Sequence, residues 1–123
     1  MPEPILSFST GQPISASGQT FDIYEWRGSG PDYLHVHHHD DEAWHVLDGT
    51  LTFRFNDQQV EAPAGTTVYV PAGVPHSYFD PVGTARYLII VTPRLRELIA
   101  ALHSAPHAQH HEIMRRFDSE ILE

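Results

Sequence analysis

The chain predicts an antiparallel all-β fold, a barrel or sandwich, followed by one or two α-helices. Three observations lead there. Residues 20–91 consist of short runs rich in β-branched and aromatic residues. Glycine, proline, aspartate and asparagine separate those runs at near-even spacing, as in sandwiches and barrels rather than in alternating strand–helix units. Beyond residue 92 the apolar period lengthens from that of a strand to that of a helix.

The expected strands are, in order, "TFDIYEWR", "DYLHVH", "EAWHVLDG", "TLTFRFN", "QQVEA", "TTVYV", "HSYFD" and "ARYLIIV". "LDGT" and "NDQQ" have the composition of hairpin turns. Thr92 then offers an N-cap, and Pro93 suits the first helical position, where its missing N–H is not needed. Leu95, Leu98, Ile99 and Leu102 follow on one helical face. A second helix is expected from near Pro106, with Met114, Phe117 and Ile121 on one side. These helices should cover the barrel or a neighbouring subunit. A chain of 123 residues is enough for one domain, with the barrel over about 5–92 and the helical segment over about 93–122.

Composition narrows the function. There is no cysteine, which excludes disulfides, thiolate metal sites and cysteine nucleophiles. All seven basic residues are arginine, so no lysine nucleophile or Schiff base is available. The net charge of −9, with scattered arginines, argues against nucleic acid or an anionic membrane as partner. No apolar run approaches the roughly 20 residues of a membrane helix. "MPEPILSFSTGQ" lacks a basic start and an apolar stretch, so a soluble, cytoplasmic protein without a signal peptide is expected.

Histidine is the compositional outlier, with six of ten between 35 and 76 and four between 103 and 111. In "HVHHHDDE", strand alternation points His35 and His37 the same way, with Tyr33. An antiparallel neighbour would bring Glu42 beside them, and His76 opens a later strand after a tight turn. Three imidazoles and a carboxylate suit a divalent first-row metal and leave positions open for other ligands. His37 and His39 form an equally good pair by spacing alone. The second histidine group has helical spacing, with His107, His110 and His111 able to share a face, and reads as a partly packed helix flank with some capacity for adventitious metal.

"HVHHHDDEAWHVLDG" followed by "GTTVYVPAGVPH" resembles the paired motifs of the cupin superfamily, and in particular of small quercetin-dioxygenase-like cupins. The first motif runs His35, His37, Glu42, Gly49, and the second Gly65, Pro71, Gly73, His76. Ser29 stands where the family motif opens with glycine, and Asp80 where it usually closes with asparagine. The resemblance implies a jelly-roll barrel and selects His35, His37, Glu42 and His76 as metal ligands. It leaves His38, His39 and His45 outside the ligand set. The implied cofactor is one divalent transition ion, whether Fe, Mn, Ni, Co, Cu or Zn.

The inward strand faces nominate Tyr33, Trp44, Phe53 and Tyr78 as pocket residues, with Tyr24, Leu51 and Phe55 as further candidates. Arg54 alternates outward. Such a pocket favours a planar or apolar small molecule. Three functions fit the sequence. One is a metal-dependent dioxygenase acting on a chelating, partly aromatic or enediol-type substrate, with Glu42 as ligand and proton acceptor. Another is a non-oxidative isomerase, lyase or hydrolase using the metal as a Lewis acid. The last is a non-catalytic binding module. A homodimer is expected, because an outer face carrying Val36 and Leu47 and open sheet edges both need cover.

Overall fold

The computed structural model describes residues 6–123, so the expected barrel start at residue 5 lies outside the described residues. Among the described residues, ten strands and two helices follow one another: β1 Ser15–Ser17, β2 Asp22–Arg27, β3 His35–His37, β4 Glu42–Asp48, β5 Thr50–Arg54, β6 Gln59–Pro63, β7 Thr67–Val70, β8 Ser77–Phe79, β9 Arg86–Val91, α1 Pro93–His103, α2 His110–Arg116 and β10 Ser119–Ile121. A single 3₁₀ turn, His107–Gln109, leads into α2.

All strand pairs are antiparallel. One sheet has the order β1-β2-β9-β4-β7. The other is built from β6-β5-β8 and β10-β3, joined by a bridge between His35 and His76. The two sheets enclose the core, giving a jelly-roll barrel. Strand alternation explains the packing: in β9, Tyr87, Ile89 and Val91 are buried while Arg86, Leu88 and Ile90 are half-buried. Trp44, Phe53, Tyr78 and Tyr87 form the aromatic centre, with Phe53 stacked on Tyr78 at 5.5 Å and Trp44 edge-on to Phe53 at 5.0 Å.

Two sequence expectations need correction here. "NDQQ" does close the β5–β6 hairpin, with Phe55 N–H donating to Gln58 O at 2.9 Å. "LDGT" does not close one, because β4 pairs with β7 and β9 while β5 pairs with β6 and β8. It is a corner that carries the chain between sheets. Gly49 sits there at φ +76°, and a side chain would meet the Ala85 Cα at 2.9 Å. The second expectation concerns the end of α2. The helix stops before Phe117, Asp118 takes φ 57°, and the chain returns as β10 against β3. Aspartate tolerates that left-handed conformation better than most residues.

Helix α1 starts as expected: Thr92 Oγ1 accepts from Leu95 N–H at 3.1 Å and Pro93 occupies the first turn. Leu95, Leu98 and Leu102 of α1 join Ile113 and Met114 of α2 in the same buried cluster as Trp44 and Ile89. The helices therefore complete the core of this chain. Val36 is buried as well, not part of an exposed outer face, while Leu47 is half-buried. Among the described residues, no helix is long and apolar enough to cross a membrane.

Candidate metal centre

His35, His37, Glu42 and His76 are all buried, and each offers one donor atom within 4.8 Å of the others. Glu42 does not arrive on a strand next to His35 and His37, as strand reasoning suggested. It comes from β4 in the facing sheet, and its carboxylate closes the cluster across the barrel. His76 arrives through the bridge to His35, with His35 N–H donating to His76 O at 3.0 Å and His76 N–H donating to His35 O at 2.9 Å. The Pro71-Ala72-Gly73 turn sets that approach. Gly73 adopts φ +88° and its N–H donates to His37 O at 2.8 Å.

The acids between the ligands have structural duties. Buried Asp40 accepts from Arg94 Nε at 2.8 Å and from Thr92 Oγ1 at 3.1 Å, tying the β3–β4 connection to the start of α1. Asp41 accepts from Ala72 N–H at 2.7 Å and from the Tyr69 hydroxyl, clamping the same connection to the turn before His76. His38 and His39 are exposed and face Glu120 and Asp118, and His45 meets Thr67 Oγ1 at 2.7 Å. None of these three joins the cluster.

Each clustered imidazole anchors its Nδ1 on the protein. His35 donates to Tyr33 O at 3.1 Å, and His76 donates to Val74 O at 2.8 Å. His37 meets Ser119 Oγ at 2.7 Å, and that hydroxyl donates its own hydrogen to Phe117 O at 3.1 Å, so His37 Nδ1–H is the donor between them. Carbonyls only accept, and Ser119 has no second hydrogen, so Nε2 is the ring nitrogen left to the cluster in all three. Glu42 Oε1 lies 2.6 Å from His76 Nε2 and 3.0 Å from His37 Nε2.

The electrostatics follow from this packing. Burial alone would raise the Glu42 carboxyl, but His37 and His76 outweigh it and hold the group well below the usual carboxylate range. Burial, reinforced by His76 and His37, pushes His35 down to about 3. Burial would lower His76 too, but its bond to Glu42 raises it. A buried carboxylate facing three ring nitrogens whose other sides are committed is a fit for a divalent transition ion, which would replace the protons shared with Glu42.

A cavity of about 420 Å³ opens beside the cluster, bordered by His35, His37 and Glu42. Tyr33, Trp44 and Tyr78 line it, as the sequence suggested. Phe53 does not: it lies behind Trp44 and Tyr78, fully buried on β5. Tyr24, Leu51 and Phe55 are likewise absent from the wall. Arg54 is part-exposed and bonds Ser77 Oγ, Asp32 O and Glu123. Burial raises the Tyr33 and Tyr78 hydroxyls to about 12.

The far wall comes from the helices, through Leu98, Leu102 and Met114, and the mouth carries His103, His107 and His110. Their rings pack on barrel aromatics, with His103 5.1 Å from Trp26 and His107 5.5 Å from Tyr33. His111 is exposed and apart from them, because the turn at His107–Gln109 breaks the helical spacing. Sequence reasoning assigned this group to a helix flank and missed its place at the cavity. It also missed Ser119, for which a three-residue strand offers no periodic signal.

The family model for the cupin domain matches residues 24–91, more than half of the chain. The chain belongs to the cupin family. Its fold is similar to a cupin protein from Bacteroides fragilis, at TM-score 0.57 and 14% identity over 74% of this chain and 86% of that one. A cupin-2 domain protein from Shewanella frigidimarina gives TM-score 0.51 and 24% identity over 72% and 84%. A double-stranded β-helix protein from Klebsiella pneumoniae gives 0.52 and 20% over 72% and 83%. No curated protein matches the chain. The two departures from the cupin motif meet in space: Asp80 N–H donates to Ser29 Oγ at 2.9 Å, and the Asp80 carboxylate accepts from Gly83 and Ala85 N–H. They close the turn before β9, and Ser29 also borders the cavity beside the cluster.

Proposed function

We propose that this cupin is a cytoplasmic mononuclear-metal dioxygenase, with the ion held by His35, His37, Glu42 and His76. Its substrate would be a small chelator with adjacent oxygens, enediol-like or partly aromatic. The observation that carries the reading is the junction of a three-histidine, one-carboxylate cluster with an apolar, aromatic cavity. A bound divalent ion would supply positive charge that stabilises a deprotonated substrate oxygen.

The chain's own residues do the rest. Trp44, Tyr33 and Tyr78 border the cavity with aromatic surface, and Leu98, Leu102 and Met114 exclude water from the opposite side. Among the described residues no arginine lines the cavity, so a phosphorylated substrate would find no guanidinium partner there. Glu42, kept ionised, is the acceptor for the proton of a substrate hydroxyl.

The test is anaerobic addition of a flavonol or diketone to protein loaded with Fe, Mn, Ni, Co or Cu, with metal-free protein as blank. The absorption of the chelator should shift, and admitting O2 should consume oxygen in step with ligand loss. Spectral shifts without oxygen uptake for any of the metals would overturn the oxygenase. Conversion of the ligand under nitrogen would then indicate Lewis-acid chemistry, and no conversion a binding module. We also expect a second copy of the chain on the outer face of the five-stranded sheet, where Phe21 is 53% and Tyr69 62% exposed beside Ile23 and Ile90. A monomer by light scattering at micromolar concentration would refute this.

A further inference from the structure

We propose that Ser119, supplied by the strand that follows α2, is a positioning residue of the metal centre. It holds His37 in the tautomer whose Nε2 faces Glu42. The inference rests on the reading that these four residues bind a metal.

The three imidazoles are not anchored alike. His35 and His76 each donate Nδ1–H to the carbonyl two residues upstream on their own segment. His37 departs from this pattern: the carbonyl two residues upstream, His35 O, accepts from His76 N–H in the bridge between ligand segments, and His37 Nδ1 meets Ser119 Oγ at 2.7 Å, 82 residues along the chain. Ser119 is 2% exposed, so water has little room to substitute.

Delivery of this hydroxyl is built into the backbone. Asp118 turns the chain out of α2 at φ 57°, and its carbonyl accepts from His38 N–H at 3.0 Å. The β10–β3 register then places Ser119 opposite His37. The bond from Ser119 to Phe117 O fixes the rotor, leaving the oxygen lone pair for His37. Without the hydroxyl, the buried Nδ1–H loses the acceptor it has in this fold. The ring proton can then move to Nε2, where Glu42 Oε1 lies 3.0 Å away to receive it. That tautomer offers the metal no lone pair.

The test is titration of cobalt(II) into the metal-stripped chain, following affinity and visible absorption. Ser119→Ala should weaken cobalt binding by about 10- to 100-fold and alter the spectrum, as losses of such orienting partners do. Ser119→Thr, which keeps the hydroxyl, should stay within about threefold of wild type, and so should Glu120→Ala on the exposed side of the same strand. Ser119→Ala binding like wild type, or Glu120→Ala losing as much as Ser119→Ala, would overturn the proposal. If Ser119→Ala does not fold, the histidine ¹⁵N spectrum of metal-stripped wild type decides: a proton on His37 Nδ1 supports the role and an unprotonated Nδ1 refutes it. Failure of wild type to take up cobalt is a separate result, which removes the metal centre itself and the proposal with it.

Discussion

The two histidine-rich stretches are similarly dense in sequence and opposite in consequence. In the first, each ring that joins the cluster commits one nitrogen to the protein and leaves the other facing a buried carboxylate. In the second, His110 commits both. Its Nε2 donates to Leu102 O at 3.0 Å and Ala105 O at 3.2 Å, so its Nδ1 accepts from the Tyr33 hydroxyl at 2.9 Å. His103 and His107 pack on aromatic rings at the cavity mouth, and among the described residues no carboxylate joins them in a cluster. Histidine density thus says little about metal. What separates the groups is a shared point reached from facing sheets, and an acceptor for every Nδ1.

The comparison can be broken most sharply at His76. His76→Ala should lower metal affinity more than about 100-fold, beyond the effect of losing an orienting partner. Elemental analysis should find the variant nearly metal-free, while His110→Ala retains a full complement. A smaller effect is expected in stability. His110→Ala strands the buried Tyr33 hydroxyl and frees two carbonyls of the α1 end, at about 1–3 kcal/mol in urea unfolding. Tyr33→Phe removes one partner of the same pair and should cost about 1 kcal/mol with the metal retained. Least of all should change in His39→Ala. Its partner Asp118 is exposed, so unfolding free energy should stay within about 0.5 kcal/mol of wild type and metal content should not move.

What was legible in the sequence is what repeats or is punctuated. Eight strands show their alternation, and Thr92-Pro93 announces α1. The resemblance of the stretches His35 to Glu42 and Gly65 to His76 to the paired cupin motifs singled out the four donors that the fold brings to one point. Three kinds of feature were not legible. Pairing across a turn was one: "LDGT" has the composition of a hairpin, but local turn chemistry does not record which strand lies next door. Very short strands were another. β1, "SAS", carries no β-branched or aromatic residue, and β10 spans three residues, too few to show a period. Met114, Phe117 and Ile121 mimic helical spacing, and only the backbone turn at Asp118 ends it. Long-range polar partners were the third. Nothing near Ser119 in sequence signals a histidine 82 positions earlier.

That separation also acts in time. Synthesis at about 5–20 residues per second puts roughly 4–16 seconds between the making of His37 and of Ser119, 82 residues later. Through that interval β3 has an open edge where β10 will lie, and the His37 ring is free to take either tautomer. The nascent chain can hold all four donor residues before it can hold them in register. Newly made protein is therefore expected to become competent for tight metal binding only as residues 119–121 settle onto β3, which makes this short strand the final step in maturation of the centre.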